Sequence, residues 1–190
     1  MKKLIFTIAV LIAAVSVNAQ EVGQKWVGGS IGFESEKQKG QDSQTSYKIL
    51  PEFGYQFQEN LAIGVRLGYA HLETDFVNGL EDLDLGDEVN MFTINPFLRY
   101  TLCKGDLGAL FVDAGVGYAH GKAKGSDDKA DLIEVGFRPG VAVNVTDKVA
   151  LTGNFGFIGY DHSKFGDDKV SRFALDFDLS EVRLGVSVKF

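Results

Sequence analysis

The sequence predicts an all-β protein: an eight-stranded antiparallel up-and-down β-barrel that spans a membrane. In successive segments apolar and polar residues alternate one by one, the period of a strand with one apolar and one polar face. Short turns and long polar connections follow these segments in strict alternation, as in membrane barrels with short turns on one side. The last nine residues, Val182–Phe190, alternate without a break and end on an aromatic residue of the apolar face.

Seven strands precede the closing one. They are predicted at Trp26–Glu34, Tyr47–Phe57, Leu61–Leu72, Met91–Leu102, Leu107–His120, Asp131–Val145 and Val149–Tyr160. The alternation in the seventh strand puts Phe157 on the apolar face. Pro51, Pro96 and Pro139 lie on the apolar faces of three strands at equivalent depths, although proline donates no hydrogen bond to a ladder.

The eighth strand has a change of register. Apolar residues alternate at odd positions from Phe173 to Leu179 and at even positions from Val182 onwards. A bulge or break near Ser180-Glu181 would reconcile the two patterns. We therefore start the eighth strand near Ser180 and assign the residues before it to an extended hairpin or loop.

Composition limits the class of protein. The 190 residues suggest one domain, and the formal net charge of −7 argues against a nucleic-acid partner. Two early lysines, an apolar run of 14 residues and a small-residue site at Val17-Asn18-Ala19 predict that residues 1–19 are a removed signal peptide. Residues 20–190 would form the barrel domain, with 17 basic and 26 acidic side chains (19 − 2 = 17). Lone Cys103 forms no internal disulfide.

The second face of the strands is rich in glycine and carries a few charges. Such a face covers the outside of a soluble barrel poorly but suits a narrow interior, with the apolar face in lipid. We expect a polar network in the lumen, composed of Glu52, Arg66, Arg99, Asp113, Glu134, Arg138 and Arg183. The short turn near Glu59 places Glu52 opposite Arg66, and a turn at Cys103–Asp106 places Asp113 near Asn95 and Phe97.

Aromatic residues cluster near the strand ends, as expected for the two girdles of a membrane barrel. The predicted girdle comprises Trp26, Tyr55 and Tyr100 on the short-turn side and Tyr47, Tyr69 and Tyr118 on the long-loop side.

From residue 20 to Phe190 the chain resembles the small eight-stranded outer-membrane barrels of the OmpA/OmpX type, the outer membrane protein β-barrel domain group. The resemblance implies export through the periplasm, a monomer in the outer membrane, and contact with outer-membrane lipids and lipopolysaccharide. Periplasmic chaperones and the barrel-assembly machinery would be partners during folding, and no cofactor is implied. In such barrels the closing strand carries the assembly signal, here Leu184, Val186, Val188 and Phe190.

The expected function is a structural or surface-interaction role through extracellular loops, without enzymatic activity and with an unidentified extracellular partner. A narrow porin-like pore for small solutes or ions is the alternative, because the inward charges could line a water path. A lipid A-modifying enzyme is a second and more distant alternative. His162-Ser163 is similar to the His and Ser used by outer-membrane lipid A deacylases, but residues 160–165 do not reproduce their longer motif.

Two further groups could bind ions. Gly-Tyr-X-His closes the third, fifth and seventh strands and ends on His71, His120 and His162, which are either interfacial side chains or part of a metal site. The connection Glu73–Asn90 carries seven carboxylates and no Lys or Arg. It is either a solvated loop or a site for divalent cations.

Overall fold

The protein is a closed antiparallel β-barrel of eight strands. The structure, a computed structural model, describes residues 22–36, 44–73, 88–123, 129–165, 168–176 and 183–190. Its ten β-segments in this part of the chain are β1 (Lys25–Glu36), β2 (Gln44–Gln58), β3 (Leu61–Glu73), β4 (Glu88–Gly105), β5 (Gly108–Ala123), β6 (Lys129–Asn144), β7 (Val149–Asn154), β8 (Phe157–Phe165), β9 (Asp168–Asp176) and β10 (Arg183–Lys189). The seventh strand consists of β7 and β8, and the eighth of β9 and β10. No helix among these residues is long and apolar enough to cross a membrane.

The first and last strands close the barrel. β1 pairs with β10 from Trp26 opposite Lys189 to Ile31 opposite Leu184. The turns at residues 59–60, 106–107 and 145–148 lie at the same end as this closure, which we call the short-turn end. The strands that flank residues 37–43, 74–87, 124–128 and 166–167 meet at the opposite end of the barrel, which we call the long-connection end. Residues 74–87 of the connection Glu73–Asn90, which carries seven carboxylates, lie outside the described residues. So does the break expected near Ser180-Glu181.

A bulge divides the seventh strand and corrects one prediction. β6 pairs with β7 up to Asn154 and with β8 from Ile158, and the register changes by one residue between them. Gly156 lies in the bulge with φ of +75°, a conformation that glycine adopts at low cost. The extra residue reverses which face each later side chain occupies. Phe157 therefore points into the barrel, where its ring centroid is 4.3 Å from the Arg138 guanidinium.

The eighth strand changes its outward face as the sequence suggested. β9 forms a hairpin with β8, and its exposed apolar side chains are the odd-numbered Phe173 and Leu175. In β10 the even-numbered Leu184 and Val186 are exposed instead. Residues 177–182, between these two segments, lie outside the described part, and the extended hairpin expected before Ser180 is the β8–β9 pair.

The three prolines lie where the ladders are interrupted. The pairing of β2 with β3 skips Pro51, and that of β4 with β5 skips Pro96. Pro139 lies opposite the bulge in the seventh strand, where its carbonyl oxygen accepts a hydrogen bond of 3.1 Å from Phe155 N. The register is the same on both sides of Pro51 and of Pro96, so each of these gaps lies where proline has no hydrogen bond to donate.

Candidate functional site

Four charged side chains on four consecutive strands meet inside the barrel. Glu52 comes from β2, Arg66 from β3, Arg99 from β4 and Asp113 from β5. Each occupies an inward position of its strand, because side chains alternate between the two faces. We call these four residues the lumen cluster.

Asp113 is the central acceptor of the lumen cluster. Its side chain is only 2% exposed, and it forms an ion pair with Arg66 Nη2. Arg99 donates from Nε at 2.7 Å and from Nη2 at 2.9 Å to the two carboxylate oxygens of Asp113. Both guanidinium groups therefore share this buried carboxylate.

The β4–β5 register corrects the expected neighbours of Asp113. Arg99, not Asn95, lies directly opposite it. The two strands continue to Gly105 and Gly108, so the turn lies at Asp106-Leu107, further along the chain than the expected turn. Moving a turn shifts every cross-strand pair beyond it.

Glu52 completes the charge balance. It accepts hydrogen bonds from Arg66 Nε at 2.7 Å and from Trp26 Nε1 at 2.8 Å, and Arg99 Nη2 lies 3.3 Å from its Oε1. The lumen cluster thus contains two cations and two anions that satisfy one another. Such mutual neutralisation is what permits charged groups to remain buried.

Aromatic rings fill the space around these charges. The Arg66 guanidinium lies 4.0 Å from the centroid of the Phe97 ring, and that of Arg99 lies 3.9 Å from the Phe111 centroid and 5.4 Å from the Trp26 ring. These distances fall within the range of cation–π contacts. The barrel section at this depth is therefore occupied by planar groups stacked on one another.

Trp26 is a correction to the predicted aromatic girdle. It points into the lumen, is 8% exposed and packs with Ala62 and Phe97. Its position in β1 shares a face with Gly28, so alternation already opposed an outward orientation. Gly54, directly opposite in β2, leaves the space that the indole occupies.

Replacing Gly54 with alanine should displace that indole. A Cβ at position 54 would overlap with Trp26 Cζ2, so we expect the free energy of unfolding to fall by about 1–3 kcal/mol. Urea titration of the refolded barrel in lipid vesicles measures this loss. Trp26 is the only tryptophan, so its emission should also shift to the red in the folded variant.

Gly153→Ala is the matched control for this substitution. A Cβ there meets its nearest atom, Val141 Cγ1, at an ordinary contact distance of 3.7 Å. We expect this variant to stay within about 0.5 kcal/mol of the wild-type protein. Unchanged emission and stability in the Gly54→Ala variant would contradict the assigned position of Trp26.

The remaining predicted lumen residues lie outside the lumen cluster. Arg138 Nη2 donates to Glu134 at 2.7 Å, and Asn95 Nδ2 donates to the same carboxylate at 3.2 Å. Arg183 lies opposite Asn154 in the pairing of β10 with β7. The inward charges are thus divided between at least two groups at different depths.

One inward ion pair was missed by the sequence analysis. Asp161 is buried in β8 and accepts a hydrogen bond of 2.9 Å from Arg172 Nε in β9. The bulge at Gly156 turns Asp161 inward, and regular alternation from β7 would have put it outside. The glycine between two aromatic residues, Phe155-Gly156-Phe157, was the only available signal.

A small cavity lies between the lumen cluster and the short-turn end. Its volume is about 50 Å³, and its lining includes Arg99, Thr101, Phe111, Ser187 and Lys189. A water molecule needs about 10–15 Å³ on this measure, so the cavity has room for a few waters. Pockets for larger organic ligands span about 300–1,000 Å³, which excludes such a ligand here.

The three Gly-Tyr-X-His segments form similar clusters on the outer surface of the barrel, near the long-connection end. In each, the histidine Nδ1 lies within hydrogen-bond distance of a polar side chain directly opposite in the next strand. The three pairs are His71 with Asn90 Oδ1 at 2.8 Å, His120 with Asp131 Oδ1 at 2.8 Å and His162 with Ser171 Oγ at 2.7 Å. Tyr69 and Tyr118 donate to the same Asn90 and Asp131 oxygens. We call these clusters the rim clusters.

The geometry of the rim clusters can be compared with the metal site and the His–Ser pair considered from the sequence. Among the described residues, no three His, Cys, Asp or Glu side chains lie close enough to hold a metal ion. Ser163 follows His162 in β8 and projects to the opposite face of the strand. These two neighbours therefore do not face each other as a catalytic pair would.

The structure describes the side chains at four of the other five predicted girdle positions. Tyr55, Tyr100 and Tyr118 are exposed on the outer surface, and Tyr69 packs edge-to-face on Phe92 with ring centroids 5.3 Å apart. The Tyr47 side chain lies outside the described part. The four positions of the closing strand, Leu184, Val186, Val188 and Phe190, are exposed on the same outer face.

Comparison with solved structures finds the same fold in small outer-membrane barrels. The crystal structure of Neisserial surface protein A matches 91% of this chain and 99% of its own at 19% identity, with a TM-score of 0.53. The outer membrane protein OprG from Pseudomonas aeruginosa matches 92% of this chain and 99% of its own at 15% identity, with a TM-score of 0.55. At these identities the likeness concerns the fold alone.

Comparison at the level of sequence is more specific. No curated protein matches the chain well enough to count as a relative. The family described as "Outer membrane protein beta-barrel domain" matches residues 6–190, which is nearly the whole chain. Together with the closed eight-stranded barrel, this match shows that the chain belongs to the outer membrane protein β-barrel domain family.

Proposed function

We propose that this protein is a closed, non-conducting barrel with a structural and surface-contact role in the outer membrane. The filled lumen is the observation that carries the proposal. Glu52, Arg66, Arg99 and Asp113 neutralise one another across the interior, and aromatic rings stack on both guanidinium groups. An eight-stranded barrel is just wide enough to be filled by such side chains. The surfaces left for function are the lipid-facing wall and the long connections.

The orientation follows from the same proposal. We infer that residues 1–19 direct export and that the short-turn end, which holds both barrel termini, faces the periplasm. The long connections then face the cell exterior, where partners would meet them. The exposed closing-strand residues Leu184, Val186, Val188 and Phe190 would be read by the barrel-assembly machinery after delivery by periplasmic chaperones. The barrel would act as a monomer and carry out no reaction.

Conductance measurements on the wild-type barrel test this proposal. Refolded protein covering residues 20–190 should insert into planar bilayers and give no ion-dependent current steps, because the lumen cluster blocks the interior. Insertion must be shown independently, for example by the altered gel mobility of folded barrels before boiling. Stable steps of uniform size from inserted protein would contradict the closed barrel and favour the narrow pore.

A further inference from the structure

The cavity between the lumen cluster and the short-turn end has an unusual lining. Among the described residues, its wall contains three cations, Arg99, Lys104 and Lys189, and no carboxylate. The other polar side chains of the wall are neutral: Gln24, Gln56, Thr101, Asn144, Thr152 and Ser187. Gln24, Lys104 and Asn144 are partly exposed where the barrel ends, so the cavity opens at the short-turn end. We call it the mouth cavity.

Lys189 has only a neutral partner in the described part of the chain. It is the last residue of β10, lies opposite Trp26 and points inward as the indole does. Its Nζ donates a hydrogen bond of 3.1 Å to Asn144 Oδ1. The Asn144 Nδ2 atom donates at 3.1 Å to the Asp106 carbonyl oxygen, which keeps the amide oxygen turned to the ammonium group. A half-buried ammonium group is thus left without the anion that normally accompanies a charge removed from water.

Arg99 supplies a second donor from the floor of the mouth cavity. Its Nε and Nη2 atoms are turned to Asp113 and Glu52 within the lumen cluster. Because Arg99 also lines the mouth cavity, its Nη1 atom is the nitrogen that remains for a group inside the cavity. The hydroxyl groups of Thr101 and Ser187 belong to the same wall. Charged and neutral donors therefore surround one small space.

The acidic groups described at this end lie outside the mouth cavity. Three of them are exposed in the short turns: Glu59, Asp106 and Asp147. The last residue, Phe190, is on the outer face, and its O atom accepts a hydrogen bond of 3.0 Å from Lys25 N. Lys104 is two residues from Asp106, which can balance its charge, and the four charges of the lumen cluster cancel. The uncompensated positive charge inside the cavity is therefore that of Lys189.

We propose that the mouth cavity binds a small inorganic anion, with Lys189 as its main ligand and Arg99 Nη1 as the second. Hydrogen bonds from charged donors to an anion are short and strong, and partial exclusion of water strengthens them further. The volume of about 50 Å³ has room for a few waters, and hence for an anion of the size of chloride or phosphate. The inference uses the proposed function only to state that the site would open to the periplasm.

The fluorescence of Trp26 tests this proposal, because Trp26 lines the mouth cavity and is the only tryptophan. The refolded barrel is held in zwitterionic detergent micelles, which leave both ends accessible, and is titrated with iodide, an anion that quenches indole fluorescence on contact. Sodium gluconate keeps the ionic strength constant, since gluconate is too large for the cavity. We expect quenching that saturates and that chloride or phosphate reverses. Caesium, a cationic quencher, should quench Trp26 much less.

A matched pair of variants assigns the binding to Lys189. Lys189→Gln should weaken iodide binding at least about tenfold, because a hydrogen bond from a charged donor is replaced by one from a neutral donor. Lys25→Gln removes the same charge next to Trp26, from a side chain exposed on the outer face. This control should keep the wild-type affinity. Gel mobility before boiling verifies that each variant is folded.

Several outcomes would overturn the anion site. They are iodide quenching that rises linearly without saturation, equal quenching by iodide and caesium, absence of quenching by iodide, and equal affinities in the two variants. The first three need only the wild-type protein, so the test stands even if Lys189→Gln fails to fold. A conducting wild-type barrel would refute the closed barrel without abolishing saturable iodide binding, so the two proposals fail separately.

Discussion

Replacing Asp113 with alanine is expected to lower the free energy of unfolding by about 3–5 kcal/mol. Asp113 is the acceptor that Arg66 and Arg99 share, and its side chain is 2% exposed. Without it, two buried guanidinium groups face the single carboxylate of Glu52. The expected loss comes mainly from this uncompensated charge, and the cavity left by three missing heavy atoms adds to it.

The measurement is urea unfolding of the refolded barrel in lipid vesicles, followed by Trp26 fluorescence. Asp147→Ala serves as control, since Asp147 is exposed in the turn at residues 145–148 and should change stability by less than about 0.5 kcal/mol. Adding Arg99→Met to Asp113→Ala removes the unpaired cation while keeping an apolar side chain. This double variant should be more stable than Asp113→Ala alone. Equal losses for Asp113→Ala and Asp147→Ala would show that the lumen cluster contributes nothing to stability.

The fold could be predicted because period-two alternation is a local property of the sequence and recurs in nearly every strand. The lipid-facing wall needs only apolar side chains at alternate positions of each strand. The outward orientation of Leu184, Val186 and Val188 could therefore be predicted without knowing which strands pair with theirs. Errors arose where one extra residue reverses the faces. Phe157 follows such a bulge at Gly156, whose effect is visible only from the pairing of β6 with both β7 and β8.

The partners within the site were harder to predict than its members. Alternation predicts that Arg99 and Asp113 point inward. Whether they face each other depends on the position of the turn, which lies at residues 106–107. The contact of Arg66 with Asp113 joins β3 to β5, across the strand between them. No sequence spacing encodes such a contact, because it depends on barrel curvature and on the reach of a guanidinium group. The error at Trp26 was of a different kind. Alternation placed its side chain on the inward face, but it was assigned to the girdle because it is aromatic.

Opening the lumen should convert the barrel, which we propose to be non-conducting, into a conducting one. In the double variant Arg99→Ala with Asp113→Ala, one cation and one anion are removed together, so no net charge is left buried. Arg66 keeps its ion pair with Glu52, at 2.7 Å from Nε to Oε2. The guanidinium that lies against the Phe111 ring is lost, and the cavity of about 50 Å³ beside it can extend past the former position of Asp113. We expect small, uniform, ion-dependent steps in planar bilayers where the wild-type barrel gives none.

The amide variant Arg99→Gln with Asp113→Asn tests whether side-chain volume or charge blocks the lumen. It removes the same two charges but keeps most of the side-chain volume and the capacity to hydrogen-bond. If volume blocks the lumen, this variant stays silent while the alanine variant conducts. If the charges themselves exclude ions, both variants conduct. Silence from both, with insertion verified, would place the block elsewhere, and the ion-paired group of Glu134 and Arg138, with the ring of Phe157 against it, is the next constriction to open.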